Sequence, residues 1–354
     1  SINQTLQTTG PNSPDMGLAS SNLGLAEQQR GNYAAAEELF LKAIDIYRTA
    51  FGDTHPNLAL GMLNLGGLYQ AQGRYDEVEE LYNAALEIQL NVYGEQHPTV
   101  TQTLASFGML YQLQGRYDDA ETYFQRAIAI NNQIFGPDSI PAAALSNRLG
   151  ELYRLAGRFA EAESASLKAL NLQAQLLGES HPDYAGTLNN LGLVYNVQGR
   201  YRDALPLMEQ AVTILETVFG AEHPSLGLVL NNWGELYRVQ GNYEEANPLY
   251  QRALTIQTQS LQPQHPDRAT TINNLALLAY SVGEYGAAIE LQTEALTSFE
   301  ANFGNQHPHV GLILNNLGEA HRIQGDLPQA TSYLERALEV QRKAFPDGHS
   351  EIAL

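Results

Sequence analysis

The sequence repeats itself with a period of 42 residues. A glycine, any residue and an aromatic residue recur at this spacing, first as Gly31-Asn32-Tyr33 and last, in a degenerate form, as Gly325-Asp326-Leu327. The eight glycines are Gly31, Gly73, Gly115, Gly157, Gly199, Gly241, Gly283 and Gly325. Self-similarity at a fixed period of this size indicates a repeat architecture, in which each unit packs mainly on its neighbours.

Each copy contains two predicted helices, helix A before the Gly-x-aromatic turn and helix B after it. Apolar residues of helix A fall at i, i+3, i+4 and i+7, as in Met62, Leu65, Gly66 and Tyr69, and therefore share one face. The glycine within helix A recurs at positions 24, 66, 108, 150, 192, 234 and 318. Because a mid-helix glycine costs about 1 kcal/mol relative to alanine, its recurrence predicts the close approach of a second helix.

Helix B carries small residues at two phases that lie seven positions apart. The later phase is alanine in all eight copies: Ala43, Ala85, Ala127, Ala169, Ala211, Ala253, Ala295 and Ala337. These alanines predict a flat strip for another helix. Helix B is expected to end at a large apolar residue and a glycine in the left-handed conformation, as at Phe51-Gly52. The next helix A then begins at a proline, as at Pro56.

The helix-turn-helix unit with these small-residue spacings resembles the tetratricopeptide repeat. The 42-residue length and phrases such as Leu188-Asn189-Asn190-Leu191-Gly192 resemble the kinesin light chain type. The resemblance covers essentially the whole chain and implies an all-α fold, an α-α superhelix (tetratricopeptide solenoid) of eight helix-turn-helix repeats. It also implies right-handed winding, with helix A on the concave face.

We therefore predict a single array over residues 1–354. The repeats are expected at about 14–52, 56–94, 98–136, 141–178, 182–220, 224–262, 266–304 and 308–346. The same register makes residues 1–13 the end of a preceding repeat and residues 347–354 the start of a further one.

Composition restricts the classes of partner. The formal net charge is −20, from 39 acidic and 19 basic residues. This balance disfavours nucleic acid and anionic membranes, whose phosphates need dense lysine and arginine, and modestly favours cationic partners. The chain has no cysteine, which excludes disulfides and cysteine-ligated metal.

Targeting and catalytic signals are missing from the sequence. No apolar run of about 18 residues predicts a membrane span, and the first ten residues lack the regions of a signal peptide. A soluble, cytoplasmic chain is expected. The phosphate-binding loop, the zinc-protease helix motif and the serine-hydrolase elbow do not occur, so we expect no enzyme, no catalytic residue and no cofactor.

Histidines share one phase of the repeat. They are His55, His97, His181, His223, His265, His307 and His349. The two remaining copies of this phase are Ser13 and Ser139, and serine is a strong N-cap residue. The exchange of serine for histidine favours capping of helix A. A metal site is the alternative, although zinc needs three or four converging ligands.

Two phases of helix A hold asparagine. One phase contains Asn22, Asn64, Asn190, Asn232, Asn274 and Asn316, and its N-terminal neighbour contains Asn147, Asn189, Asn231, Asn273 and Asn315. Asparagine is a poor mid-helix residue, and these positions are far from helix ends. In peptide-binding tetratricopeptide domains an asparagine matching Asn190 lines the concave groove and bonds the ligand backbone, so the resemblance implies that role here. The alternative is an inter-helix hydrogen bond that fixes repeat packing.

Charged residues follow at helical spacing from the asparagines. The pairs are Glu151 with Arg154, Glu235 with Arg238, and Glu319 with Arg322. Each is either an i,i+3 ion pair on the surface or part of a row of groups that bind a ligand. Arg148 replaces asparagine in repeat four and, with Arg154, predicts a small basic spot for a carboxylate. Apolar groove residues such as Leu193 are expected to take side chains of the ligand.

Three functions remain open from the sequence. The leading hypothesis is a protein-interaction scaffold that binds a peptide or partner segment in the groove lined by helix A. The second is a structural spacer or oligomerisation element. The third is the sensor module of a larger signalling protein, with an effector domain outside this sequence.

Overall fold

The computed structural model describes residues 13–344, which form sixteen helices and no strand. The A helices are α1 (Pro14–Arg30), α3 (Pro56–Ala71), α5 (Pro98–Leu113), α7 (Ile140–Leu155), α9 (Pro182–Val197), α11 (Pro224–Val239), α13 (Pro266–Ser281) and α15 (Pro308–Gln324). The B helices are α2 (Tyr33–Phe51), α4 (Tyr75–Tyr93), α6 (Tyr117–Phe135), α8 (Phe159–Leu176), α10 (Tyr201–Phe219), α12 (Tyr243–Ser260), α14 (Tyr285–Phe303) and α16 (Leu327–Ala344). The all-α fold of eight helix-turn-helix repeats is therefore confirmed.

The chain divides into two compact units, residues 1–214 and residues 215–354. In repeats one to four and six to eight, helix A packs on helix B of its own repeat, and within each unit helix B packs on helix A of the following repeat. The continuity of a single array over residues 1–354 stays a prediction. The flanking half-repeats predicted at residues 1–13 and 347–354 lie outside the described residues, apart from Ser13.

Histidine caps the A helices, as the exchange with serine predicts. His55 Nδ1 accepts a hydrogen bond from the Asn57 amide at 3.2 Å, and the described histidines of this phase act in the same way. The His55 ring also stacks on Phe51, with centroids 4.1 Å apart. His97, His223 and His307 also lie against the aromatic residue that ends the preceding helix B, so these histidines fix the loop between two repeats. Within residues 13–344, no group of three or more side chains is placed to hold a metal ion.

The glycine after helix B differs from its predicted conformation. Gly52 has φ 81° as expected, but its ψ is −175° rather than a left-handed helical value, in a region that is essentially restricted to glycine. Gly136 has the same conformation, with φ 82° and ψ 165°, although serine follows it in place of histidine. The left-handed helical conformation occurs instead after α1, where Gly31 has φ 86° and ψ 10°.

The glycine within helix A accommodates a side chain of helix B in the same repeat. A Cβ atom on Gly66 would lie 2.4 Å from Cε1 of Tyr82. Equivalent large side chains lie against Gly24, Gly108, Gly192, Gly234 and Gly318. The predicted close approach is confirmed, although in most repeats the approaching group is a ring or a long side chain rather than the helix backbone. The alanine strip of helix B is buried throughout.

Candidate functional site

The two asparagine phases meet between repeats four and five. Asn190 of α9 donates from Nδ2 to Oδ1 of Asn147 in α7, at 3.1 Å. Asn189 in turn donates from Nδ2 to Oδ1 of Asn190, at 3.3 Å. Asn189 is buried, whereas Asn147 and Asn190 are half-buried. One N–H group of Asn190 therefore joins neighbouring repeats, as the packing alternative predicts.

The same pairing recurs in the second unit, between repeats six and seven. Asn274 donates from Nδ2 to Oδ1 of the buried Asn231, at 3.0 Å. The phases do not pair everywhere, because Oδ1 of Asn273 is buried without a partner. Within residues 13–344, five asparagines of these phases make no side-chain hydrogen bond: the exposed Asn22 and the half-buried Asn64, Asn273, Asn315 and Asn316. Asn232 is half-buried as well.

The predicted charge pairs differ from one another. Arg238 forms a two-pronged ion pair with Glu235, with both N–O distances 2.7 Å, and the same carboxylate accepts from Oη of Tyr250 at 2.8 Å. This environment raises the pKa of Arg238, first through the hydrogen bond to Glu235. It also raises the pKa of Tyr250, chiefly by burial. The Glu235 pair therefore belongs to a network within repeat six.

Arg322 pairs with Glu319 at 2.8 Å on an exposed surface. Glu151 and Arg154 form no hydrogen bond within the described residues. Burial lowers the pKa of Arg154, although the nearby Glu151 carboxylate opposes that shift. Two of the three predicted pairs, Glu235–Arg238 and Glu319–Arg322, thus form ion pairs. The carboxylate of Glu151 is not paired with Arg154.

A cavity of about 320 Å³ lies where the predicted groove passes repeats four and five. Four predicted site residues line it, namely Asn147, Arg148, Glu151 and Asn190. Asp183 and Gly186 continue the wall along α9, while Gln173 comes from the last turns of α8 and Leu177 is the residue that follows this helix. The predicted basic spot is not assembled there, because Arg154 does not line this cavity.

Leu193, predicted as an apolar groove contact, is half-buried on α9. Leu228 and Leu312 occupy equivalent sides of their own A helices and are 42% and 38% exposed. The helix A surface therefore offers apolar side chains beside the asparagines in both units.

A second repeated arrangement, the turn clamp, was not anticipated from the sequence. It joins the arginine of a Gly-Arg-aromatic turn, the tyrosine five residues before it, and a glutamate 37 residues before it in the preceding helix B. In repeat five, Arg200 lies 4.0 Å from the centroid of the Tyr195 ring. Both side chains also donate to Glu163, at 2.8 Å from Arg200 and 3.1 Å from Tyr195.

The turn clamp also occurs in repeats two and four, where the arginines are Arg74 and Arg158. Repeat three has it in part: Arg116 stacks on Tyr111, and Tyr111 donates to Glu79. Each arginine also pairs with an acidic residue three positions later, such as Asp203 for Arg200. The signal in the sequence is the joint presence of arginine and glutamate 37 residues apart. Both are replaced in repeats six to eight, whose turns carry Asn242, Glu284 and Asp326.

Known proteins with the same repeat support this fold. The family model described as tetratricopeptide repeat matches residues 15–89, 58–133, 141–217, 225–301 and 279–343. No curated protein matches the chain. No helix among the described residues combines the length and apolar character needed to cross a membrane.

Two solved structures with TM-scores above 0.5 share the fold. BtubC (BKLC) from P. vanneervenii has a TM-score of 0.52 and 24% identity, over 67% of this chain and 93% of that one. The apo form of RapI has a TM-score of 0.56 and 16% identity, over 82% of this chain and 99% of that one. A kinesin light chain-like protein of Podosopora anserina has a TM-score of 0.47 and 24% identity, over 58% of this chain and 97% of that one. The chain belongs to the tetratricopeptide repeat family.

Proposed function

We propose that this chain is a protein-interaction scaffold that binds an extended segment of a partner along the helix A surface of repeats four and five. Tetratricopeptide repeats generally mediate protein–protein interactions. The observation that carries the more specific proposal is the cavity beside Asn147, Arg148, Glu151 and Asn190. Its volume of about 320 Å³ lies within the usual range of ligand pockets.

The polar groups of this cavity suit an extended backbone, which offers N–H donors and carbonyl acceptors in turn. Nδ2 of Asn147 makes no hydrogen bond within the described residues, and it can donate to a ligand carbonyl. The carboxylates of Glu151 and Asp183 can accept from ligand N–H groups. Arg148 is exposed at the wall and adds a charged donor. The remaining lining, including Leu177 and Gly186, leaves room for side chains of the ligand.

The test uses a peptide selected from a random display library on the wild-type chain. We expect the double variant Arg148→Ala/Glu151→Ala to bind it at least tenfold more weakly in calorimetry, since both removed groups line the cavity. Neither side chain makes a hydrogen bond within the described residues, so folding should be kept. Arg202→Ala is the matched control, because Arg202 is an exposed arginine of a B helix. Unchanged affinity in a folded double variant excludes this site.

The hydrogen bonds Asn190–Asn147 and Asn274–Asn231 favour a second candidate function. In it the asparagines serve repeat packing, and the chain is a spacer. Replacing Asn190, Asn232 and Asn274 together with alanine then lowers the unfolding temperature and leaves association of the peptide unaffected. The binding scaffold instead requires that the triple variant lose affinity for the peptide.

A further inference from the structure

The junction between repeats six and seven, within the second unit, lacks the turn clamp entirely. The three positions of the clamp, and that of the acidic residue three positions after its arginine, lie 84 residues, or two repeats, after those of repeat five. There Asn247, Ala279, Glu284 and Ala287 stand in place of Glu163, Tyr195, Arg200 and Asp203. The exchange of tyrosine for alanine and of arginine for glutamate removes most of the atoms that fill this space in the earlier repeats.

All four replacing residues line one cavity between α12, α13 and α14. The cavity has a volume of about 520 Å³, which is ample for one large side chain. Leu275 and Leu278, both buried, and Leu291, half-buried, give it an apolar lining. None of its lining residues belongs to the candidate site along the asparagines. The space is therefore a separate feature of the molecule.

The rim of this cavity is acidic. The exposed residues Glu244 and Glu284 line it, and neither forms an ion pair within the described residues. No lysine, arginine or histidine is among the lining residues, while Asn247 and Gln251 add amide groups. An apolar interior with two unpaired carboxylates at its edge complements a side chain with an aliphatic stem and a cationic end.

We propose that this cavity receives an arginine side chain of a partner protein. The chain itself supplies the precedent, because in the equivalent space of repeats two to five an arginine stacks on an aromatic ring. Here the stem would pack on Leu278 and Ala279, and the guanidinium would reach Glu244 and Glu284. Arginine suits the site better than lysine, because its guanidinium is planar, pairs with carboxylates through two donors and is weakly hydrated.

The first test is a titration of the methyl-labelled chain with the capped peptide acetyl-Gly-Arg-Gly-amide, followed by NMR. We expect saturable shifts of the Leu278 and Leu291 methyl groups. A peptide with citrulline, which keeps the shape of arginine without its charge, should produce little change. Absence of these shifts, or equal shifts with citrulline, overturns the proposal.

Variants locate the response. The triple variant Asn247→Glu/Ala279→Tyr/Glu284→Arg rebuilds the turn clamp, and it should abolish the shifts because its own arginine fills the space. The milder Glu244→Gln/Glu284→Gln removes only rim charges, so it keeps the test valid if the triple variant does not fold. Glu290→Arg is the control for reversed charge, because Glu290 is exposed on α14 outside the cavity. A response that persists in a folded triple variant contradicts the proposal.

A second copy of this chain is the competing source of the arginine. Sedimentation of the wild-type chain should show no association that depends on Glu244 and Glu284. A concentration-dependent dimer that disappears in Glu244→Gln/Glu284→Gln would assign the cavity to self-association and overturn the partner-protein assignment. The NMR titration with the arginine peptide tests this cavity independently of the helix A site. The double variant Arg148→Ala/Glu151→Ala should therefore show the same methyl shifts as the wild-type chain.

Discussion

Nη1 of Arg74 lies 3.1 Å from Oε1 of Glu37, a residue of the preceding repeat. The same carboxylate oxygen accepts from Oη of Tyr69 at 2.8 Å, while the guanidinium of Arg74 stacks 3.5 Å from the centroid of the Tyr69 ring. Burial, and then the bond to Glu37, raise the pKa of Tyr69 to about 12. The turn of repeat two is thereby tied to helix B of repeat one.

The substitution Arg74→Ala should destabilise the chain by about 1 kcal/mol. It removes a cation–π contact and two ion pairs that are partly exposed, and it leaves Glu37 with Tyr69 alone. The measurement is the free energy of unfolding in urea. Arg48→Ala is the matched control, because Arg48 makes one exposed ion pair with Asp53, and it should change stability by a few tenths of a kcal/mol. Equal effects of the two variants contradict a special role for the clamp.

The ion pair of Arg74 with Glu77, beside the clamp, should weaken at acidic pH. The hydrogen bond from Arg74 lowers the pKa of Glu77 below its ordinary value. A carboxylate with a lowered pKa stabilises the folded state above the unfolded pKa, and this stabilisation is lost as pH falls through the folded pKa. The difference in stability between wild type and Arg74→Ala should therefore shrink below about pH 4. A constant difference from pH 7 to pH 3 shows that the charge of Glu77 contributes nothing.

Two adjacent glycines should respond to alanine with opposite sign. A Cβ on Gly66 would clash with the Tyr82 ring at 2.4 Å, whereas a Cβ on Gly67 meets no atom within 4 Å. We expect Gly66→Ala to cost about 1–3 kcal/mol through overpacking. Gly67→Ala should raise the free energy of unfolding by up to about 1 kcal/mol, because alanine is the better helix former. Thermal unfolding midpoints of both variants decide this, and a gain in both shows that Tyr82 moves aside freely.

The hydrogen bond between Asn190 and Asn147 should appear as an energetic coupling. In a cycle of Asn147→Ala, Asn190→Ala and the double variant, we expect a coupling of about 1 kcal/mol in unfolding free energy. Asn64→Ala is the control, because its side chain makes no hydrogen bond within the described residues. That variant should be neutral or gain up to about 0.7 kcal/mol from helix propensity. A coupling near zero removes the support for a packing role of the asparagines.

The local structure could be predicted from the sequence because its causes are local. Proline at the first turn of helix A and the Gly-x-aromatic turn each act within a few residues, and serine at Ser13 and Ser139 revealed the capping role of histidine. The extended ψ of Gly52 was missed, because a glycine at this position suits a left-handed helical cap equally well.

The site was predicted less completely, for a geometric reason. The position of Asn147 and Asn190 within the repeat predicts the face of helix A on which each lies. It does not predict which asparagine side chains form a hydrogen bond with each other. Their bond joins residues 43 positions apart, so it depends on the offset between successive repeats. The turn clamp needs two helices and a turn in contact at once, and the sequence shows only that Arg200 and Glu163 occur together. The cavity at Asn247 and Glu284 follows from the loss of that arrangement.

The cap of repeat eight should be sensitive to pH. Nδ1 of His307 accepts from the His309 amide at 3.2 Å, so the cap requires a neutral imidazole. Burial, with the adjacent His309, lowers the pKa of His307 to about 3. Because the folded pKa is lowered, the unfolded state binds the proton more readily. Stability is complete above the ordinary histidine pKa and falls as pH drops from about 6.5 towards 3.

Acidification from pH 7 to pH 5 should therefore cost repeat eight about 1–2 kcal/mol through His307. The variant His307→Ser should retain the cap and lose this share of the pH dependence, since Oγ of Ser13 accepts from the Met16 amide at the same phase. Hydrogen exchange of the α15 amides at pH 5 and pH 7, corrected for intrinsic rates, measures the difference. If both proteins lose protection equally on acidification, the pH sensitivity of repeat eight lies in other groups and not in the cap.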